Sequence, residues 1–133
     1  MRKPLACLLG LLLLAGCHNA TAPKVFSIVG SWRSDDFAPA TIDMTLVETG
    51  RSPVGAGRWA TNDSVFAFRV TGAHVSNDVS LVFDFDGRAD IDFQGSFQDL
   101  GNDSTLLAGA LYGSGFDGDS LHLFRVPEPD EDQ

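Results

Sequence analysis

The sequence predicts an all-β protein, an eight-stranded antiparallel up-and-down barrel, with a β-sandwich as the alternative. Residues 25–126 alternate apolar and polar side chains and contain no useful stretch of helical period. Eight such segments recur at intervals of about 10 to 15 residues, with Gly, Asn, Asp or Ser between them. Short connections favour antiparallel neighbours, and closing the meander removes both sheet edges. Alternation alone does not distinguish a barrel from a sandwich.

The predicted strands are the apolar-alternating runs between these turn residues. In chain order they are IVGSWRS, TIDMTLV, VGAGRWA, VFAFRV, VSLVFDF, ADIDFQGSF, STLLAGALY and DSLHLFRV. In the second strand the alternation places Ile42, Met44 and Leu46 on one face. In the strands that follow, it collects phenylalanines on the corresponding face, so we expect a core rich in aromatic rings.

Glycines in the predicted strands allow two interpretations of the barrel interior. Gly55 and Gly57 lie on the third strand and Gly109 on the seventh, opposite large rings. They leave room for one small ligand, which a barrel of eight strands is just wide enough to hold, or they are kinks that let a tight barrel curve. The ten phenylalanines correspondingly either line a pocket or fill the interior.

The segment FDFDGRADIDF, residues 83–93, has its aspartates at even positions and its large apolar residues at odd positions. The aspartates are Asp84, Asp86, Asp90 and Asp92. The apolar faces coincide in a hairpin only if the loop has an odd number of residues, so we predict a three-residue loop with Gly87 at positive φ. A loop at residues 85–87 pairs Asp84 with Arg88, and a loop at 87–89 pairs Asp86 with Asp90.

These four aspartates are also the candidate metal ligands of the chain. An EF-hand loop needs glycine at its sixth position and glutamate at its twelfth, but counting from Asp84 places Gly87 fourth and Gly95 twelfth. We therefore expect no metal site, and we interpret the aspartates as a solvated face that keeps an aromatic hairpin from pairing with a neighbour.

The amino terminus has the pattern of an export signal. A basic MRKP is followed by LACLLGLLLL, which is too short to span a bilayer comfortably, and then by LAGC at residues 14–17. This ending resembles the bacterial lipobox, which implies that Cys17 receives a diacylglycerol and acyl chains and that residues 1–16 are removed. Two or three acyl chains anchor a protein stably where one does not. In lipoproteins, aspartate after the cysteine usually retains the protein at the inner membrane. His18 therefore implies the outer membrane, where the source has one.

Cleavage before Cys17 would leave 133 − 16 = 117 residues with one cysteine, so no disulfide forms within the mature chain. Seven basic against 18 acidic residues give a net charge of −11, which disfavours nucleic acid and anionic lipid head groups as partners. We predict a signal peptide at 1–16, a polar tether at 17–24, a barrel domain at 25–126 and a disordered acidic tail at 127–133. The expected location is the cell envelope, with the lipid as membrane anchor.

Two positions resemble the calycins, the lipocalin and avidin group of barrels. GSW places Gly30 and Trp32 on the first strand, and LFRV places Arg125 on the last. The resemblance implies that Trp32 packs against Arg125 and plugs the closed end of the barrel, with a cation–π contact. It also implies a binding function. The second lipocalin motif, T-D-Y, is absent, so no particular ligand is implied.

Sequence motifs for catalysis are absent. The chain has no G-x-S-x-G, H-E-x-x-H, C-x-x-C, P-loop or G-x-G-x-x-G, and its three histidines, His18, His74 and His122, are isolated in sequence. We therefore expect a protein that is not an enzyme and needs no cofactor. Two functions remain: a lipid-anchored carrier or sensor of a small apolar ligand, and a structural or protein-interaction lipoprotein with a filled core.

Overall fold

The computed structural model describes residues 26–101 and 104–127. The predicted signal peptide, Cys17, the tether and the acidic tail after Pro127 lie outside the described residues. The described chain forms eight strands: β1 (Gly30–Ser34), β2 (Thr41–Thr49), β3 (Ser52–Ala60), β4 (Val65–Val75), β5 (Asp78–Phe85), β6 (Ile91–Gly101), β7 (Ser104–Gly113) and β8 (Phe116–Val126).

These strands make one closed antiparallel barrel in sequence order, with β1 pairing to β8. The predicted fold class is therefore confirmed, and the sandwich alternative is wrong. Each predicted segment overlaps one strand, although the ends differ by up to five residues. β4 extends beyond the predicted VFAFRV to Val75, because its last inward positions are Gly72 and His74, which interrupt the apolar alternation without interrupting the pairing with β5.

The core of the barrel is built from the inward side chains of all eight strands. Trp32, Phe83 and Phe93 are the largest fully buried side chains. One continuous cluster of buried apolar residues runs from Ile28, before β1, to Leu123 on β8. Among the described residues, no buried side-chain nitrogen or oxygen lacks a hydrogen-bond partner. Because every strand and this whole core lie after Cys17, a chain that begins at His18 keeps the complete barrel.

Neighbouring groups fill the space beside the inward-facing glycines. A Cβ added at Gly57 would lie 2.7 Å from Cζ of Phe68, and one at Gly95 would lie 2.6 Å from Cζ of Phe93. At Gly55 and Gly109 it would meet the backbone carbonyl of the adjacent strand. These glycines therefore allow close approach of strands and rings in a tightly curved barrel, and the space they leave is occupied by the protein itself.

The hairpin between β5 and β6 corrects the predicted register. Phe83 pairs with Ile91 and Leu81 with Phe93, so seven residues, 84–90, separate the last register partners, and five of them, 86–90, lie outside both strands. Both three-residue registers are therefore wrong. The predicted parity is confirmed because the loop is odd and Phe85 stays buried. Gly87 has φ of 71°, as predicted. The longer loop keeps Phe85 inside without placing Asp86 and Asp90 in a strand pair.

Candidate functional site

The antiparallel order of the strands gives the barrel two distinct ends. We call the end that carries residues 26–29 and the β2–β3, β4–β5 and β6–β7 connections the closed end. The opposite end carries the β1–β2, β3–β4, β5–β6 and β7–β8 loops, and we call it the open end. The loops of the open end are residues 35–40, 61–64, 86–90 and 114–115.

At the closed end, the structure brings Trp32 and Arg125 together. They are register partners on β1 and β8, and Cζ of Arg125 lies 4.5 Å from the centroid of the Trp32 ring. The guanidinium also donates hydrogen bonds to the carbonyls of Ser27 and Val29. A side chain at Gly30 would collide with Nη1 of Arg125, and Gly30 has φ of 136°, so this position requires glycine. Partial burial lowers the pKa of Arg125, which still remains charged at neutral pH.

Residues 26–29 bind across the closed end through both side chains and backbone. Ile28 is fully buried, and its carbonyl accepts a 2.9 Å hydrogen bond from Nε1 of Trp32. The ring of Phe26 stacks on Phe97 at 5.2 Å between centroids. Phe97 in turn contacts Trp32 at 6.1 Å, so the segment continues the aromatic core outward. These contacts seal this end of the barrel.

The histidines of the barrel occupy different environments. His74 points inward at the closed end, with Nδ1 at 2.7 Å from Oε1 of Glu48 and Nε2 at 2.8 Å from the carbonyl of Ser76. Its ring also packs edge-on against Phe97. His122 is exposed on β8, with Nδ1 at 3.4 Å from Oδ2 of Asp35. Because both ring nitrogens of His74 face acceptors within the protein, this histidine serves packing at the closed end.

The four aspartates that the sequence singled out all lie exposed on the outer face of β5, β6 and their loop. They are Asp84, Asp86, Asp90 and Asp92. Within residues 26–101 and 104–127, no group of three or more His, Cys, Asp or Glu side chains is placed to hold a metal ion. The described residues also contain no helix long and apolar enough to cross a membrane.

The open end contains an apolar cleft that the sequence interpretation missed. Its volume is about 210 Å³. It is lined by Trp59, Thr61, Phe66, Phe85, Arg88, Ala89, Ile91, Ser114 and Phe116. Trp59, Phe85 and Ile91 are buried and form its floor, whereas Phe66 and Phe116 are half-buried and form walls.

The aromatic rings of the cleft pack against one another. Trp59 contacts Phe85 edge-on at 5.9 Å between centroids, and it contacts Phe116 at 5.7 Å. Arg88 lies over the face of Phe66, with Cζ at 3.9 Å from the ring centroid. The cleft is therefore a preformed aromatic surface with one cation stacked at its edge.

Six aspartates lie at the same end of the barrel as the cleft, although none of them lines it, and we call them the acidic rim. They are Asp35, Asp36, Asp63, Asp86, Asp90 and Asp117. Asp86 follows Phe85 of the cleft in sequence, Asp90 precedes Ile91, and Asp117 follows Phe116. Arg88 is the one basic residue in the four open-end loops, all of which are described.

A sequence signal for the cleft did exist. Trp59, Phe66, Phe85 and Phe116 each lie within two residues of a strand end, and each of those ends borders an open-end loop. In an up-and-down barrel, alternate loops lie at the same end, so aromatic residues beside alternate loops converge there. The positions of the strand ends were needed to see this pattern.

In comparisons with known proteins, no protein-family model, no curated protein and no solved structure matches the chain at the significance required. The structure establishes the closed eight-stranded antiparallel barrel, and the calycin and lipobox resemblances remain predictions.

We predict that Arg125→Met lowers the free energy of unfolding by about 1 to 3 kcal/mol, because it removes two charged hydrogen bonds and a cation–π contact. Chemical denaturation of the chain beginning at His18 measures this change. Arg58→Met is the matched control, since Arg58 is exposed on the outer face of β3, and it should change stability by less than about 0.5 kcal/mol. Equal effects of the two substitutions would contradict a closing role for Arg125.

Proposed function

We propose that this chain is a non-catalytic, lipid-anchored protein of the cell envelope that binds a small apolar ligand at the open end of its barrel. The observation that carries the proposal is the aromatic cleft formed by Trp59, Phe66, Phe85 and Phe116. The interior beneath it is packed with the protein's own side chains, and the opposite end is sealed by residues 26–29. The cleft at the open end is therefore the apolar surface that is accessible to a ligand.

The size of the cleft limits the ligand. An apolar cavity of about 150 Å³ holds a benzene ring, whereas pockets for drug-sized molecules measure about 300 to 1,000 Å³. At about 210 Å³, the cleft fits one ring with a short substituent. The sequence analysis predicted a ligand inside the barrel. We propose instead that the ligand binds on the floor of the open-end cleft.

The predicted lipid anchor on Cys17 leaves the open-end cleft accessible to a ligand. The described chain begins with Phe26 at the closed end, nine residues after Cys17. Nine residues span at most about 30 Å when extended, so lipid on Cys17 would hold the closed end near the membrane. The open end then points away from the bilayer, toward dissolved ligands.

The absence of a catalytic role is proposed from the environments of the ionisable side chains. A general base needs a ring nitrogen or carboxylate within reach of a substrate. Both nitrogens of His74 are engaged at the closed end, far along β4 from the cleft, and none of the acidic-rim aspartates lines the cleft. The groups that line the cleft are suited to packing against a ring.

A second candidate function is a structural or protein-interaction role in the envelope. The observation that favours it is Phe37, which lies in the β1–β2 loop at the open end with 94% of its surface exposed. Exposed aromatic residues are common anchors of protein interfaces. In this alternative a partner protein covers Phe37 and the cleft together.

Binding at the mouth is testable with the two tryptophans as separate reporters. In ¹H–¹⁵N spectra of the chain beginning at His18, we expect 2-phenylethanol to shift the indole N–H signal of Trp59 saturably and to leave that of Trp32 unchanged. The Trp59→Phe variant assigns the signals. Shifts of neither signal, or equal shifts of both, would contradict a ligand site at the open end.

We also predict that Cys17→Ala abolishes incorporation of a labelled fatty acid into the protein in bacterial cells, because the thiol is the group that forms the thioether. Wild-type protein expressed at the same level should be labelled. His18→Ala is the matched control, since it changes the neighbouring residue and should preserve labelling. Labelled Cys17→Ala protein would contradict the anchor.

A further inference from the structure

We propose that the ligand of the open-end cleft is a small organic cation, a single apolar ring that carries a positively charged group on a short arm. This inference rests on the proposed function, because it concerns the same cleft, and it adds the charge of the ligand. The ring would pack on the floor formed by Trp59, Phe85 and Ile91. The charged group would extend toward the acidic rim.

The distribution of charge over the barrel supports a cation. The four open-end loops carry five aspartates and one arginine, and Asp117 adjoins the cleft on β8. At the closed end, Glu48, Asp78 and Asp99 lie near the connections and Asp103 lies in one of them in sequence, together with Arg51 and Arg125. The open end is therefore the more negative of the two ends, which raises the local concentration of cations there and speeds their encounter.

The rim aspartates nearest the cleft are available to a ligand. Asp86, Asp90 and Asp117 are exposed, and each is adjacent in sequence to a residue that lines the cleft. Among the described residues, none of these three carboxylates forms an ion pair. None of the three lines the cleft, so they would attract a charged group on a ligand arm that extends out of the cleft toward the loops.

The protein itself demonstrates that the cleft accommodates a cation on an aromatic face. The guanidinium of Arg88 lies 3.9 Å from the centroid of Phe66, at the edge of the cleft. A ligand ammonium over Phe66 would gain the same cation–π attraction. Arg88 therefore occupies part of the surface that a cationic ligand would use, and it adds a repulsive charge there.

The competing possibility is an anionic ligand whose carboxylate pairs with Arg88. Asp86 and Asp90 lie two residues to either side of Arg88 in the same loop, so the local charge is negative even with the arginine present. An anion would have to approach through the whole acidic rim to reach one guanidinium. The cation is thus favoured in the approach by the net negative charge of the open end, and at the cleft by the aromatic face of Phe66.

The test compares three probes that share one ring and differ in charge: phenethylammonium, 2-phenylethanol and 3-phenylpropionate. Each is titrated at low salt into the chain beginning at His18, and the Trp59 indole N–H signal is followed. We expect phenethylammonium to bind at least about threefold more tightly than the alcohol, and the propionate to bind most weakly. The advantage of the cation should shrink at about 0.5 M salt, where screening is strong.

Substitution of Arg88 sharpens the test. Arg88→Gln should strengthen phenethylammonium binding by about twofold or more, because it frees Phe66 and removes a positive charge. Arg51→Gln is the matched control, since it makes the same change of charge at the closed end, and it should leave the affinity within measurement error. Asp90→Asn should weaken binding of the cation, whereas Asp78→Asn on the closed-end side of β5 should not.

The outcomes separate this inference from the proposed function. Equal affinity for phenethylammonium and the alcohol, or tighter binding of the propionate with loss on Arg88→Gln, would overturn the cation and leave an apolar-ligand site in place. No Trp59 shift with any of the three probes would overturn both. The expected order of affinities together with the Arg88→Gln gain supports both.

Discussion

The contact between Trp32 and Arg125 joins the first strand to the last, and we propose that closure of the barrel depends on it. β1 has five residues whereas the other strands have eight to eleven, and its ladders to β2 and to β8 have four register pairs each, so the seam between β1 and β8 is as short as any in the barrel. Stacking of Arg125 on Trp32 strengthens this seam with side chains. The same guanidinium binds the carbonyls of Ser27 and Val29, which draws residues 26–29 across the barrel end. Closure of the sheet and sealing of its end thus share one pair of residues.

The two ends of the barrel differ: the closed end is packed, and the open end keeps an accessible apolar surface. Phe97 links Trp32, Phe26 and His74 into a packed closed end whose polar groups are satisfied by the protein. At the open end, Trp59 and Phe85 complete the core but keep apolar surface facing the mouth. The acidic loops at that end make it the more negative of the two. The chain therefore combines a closed barrel with an aromatic cleft at its more acidic end, the arrangement from which its proposed binding function follows.

Much of the fold could be predicted from the sequence, because a period of two with interspersed turn residues is a local signal. Parity alone placed Phe83, Phe85 and Phe93 inside and the intervening aspartates outside. The strand register could not be obtained in this way, since any odd number of residues between the last partners satisfies the same parity, and the structure has seven, 84–90, centred on Gly87. The cleft was also missed, because Trp59, Phe66 and Phe116 come from three different strands and meet only after the barrel closes. Convergence of this kind depends on long-range geometry, which short sequence patterns do not encode.

A double-mutant cycle on Trp32 and Arg125 tests the closing interaction most directly. The free energies of unfolding of the wild type, Trp32→Leu, Arg125→Met and the double variant give the coupling between the two side chains, free of their separate contributions to packing. A favourable coupling of about 0.5 to 1.5 kcal/mol is predicted for a partly buried cation–π pair. Additivity within about 0.3 kcal/mol would contradict the claim that this pair closes the barrel.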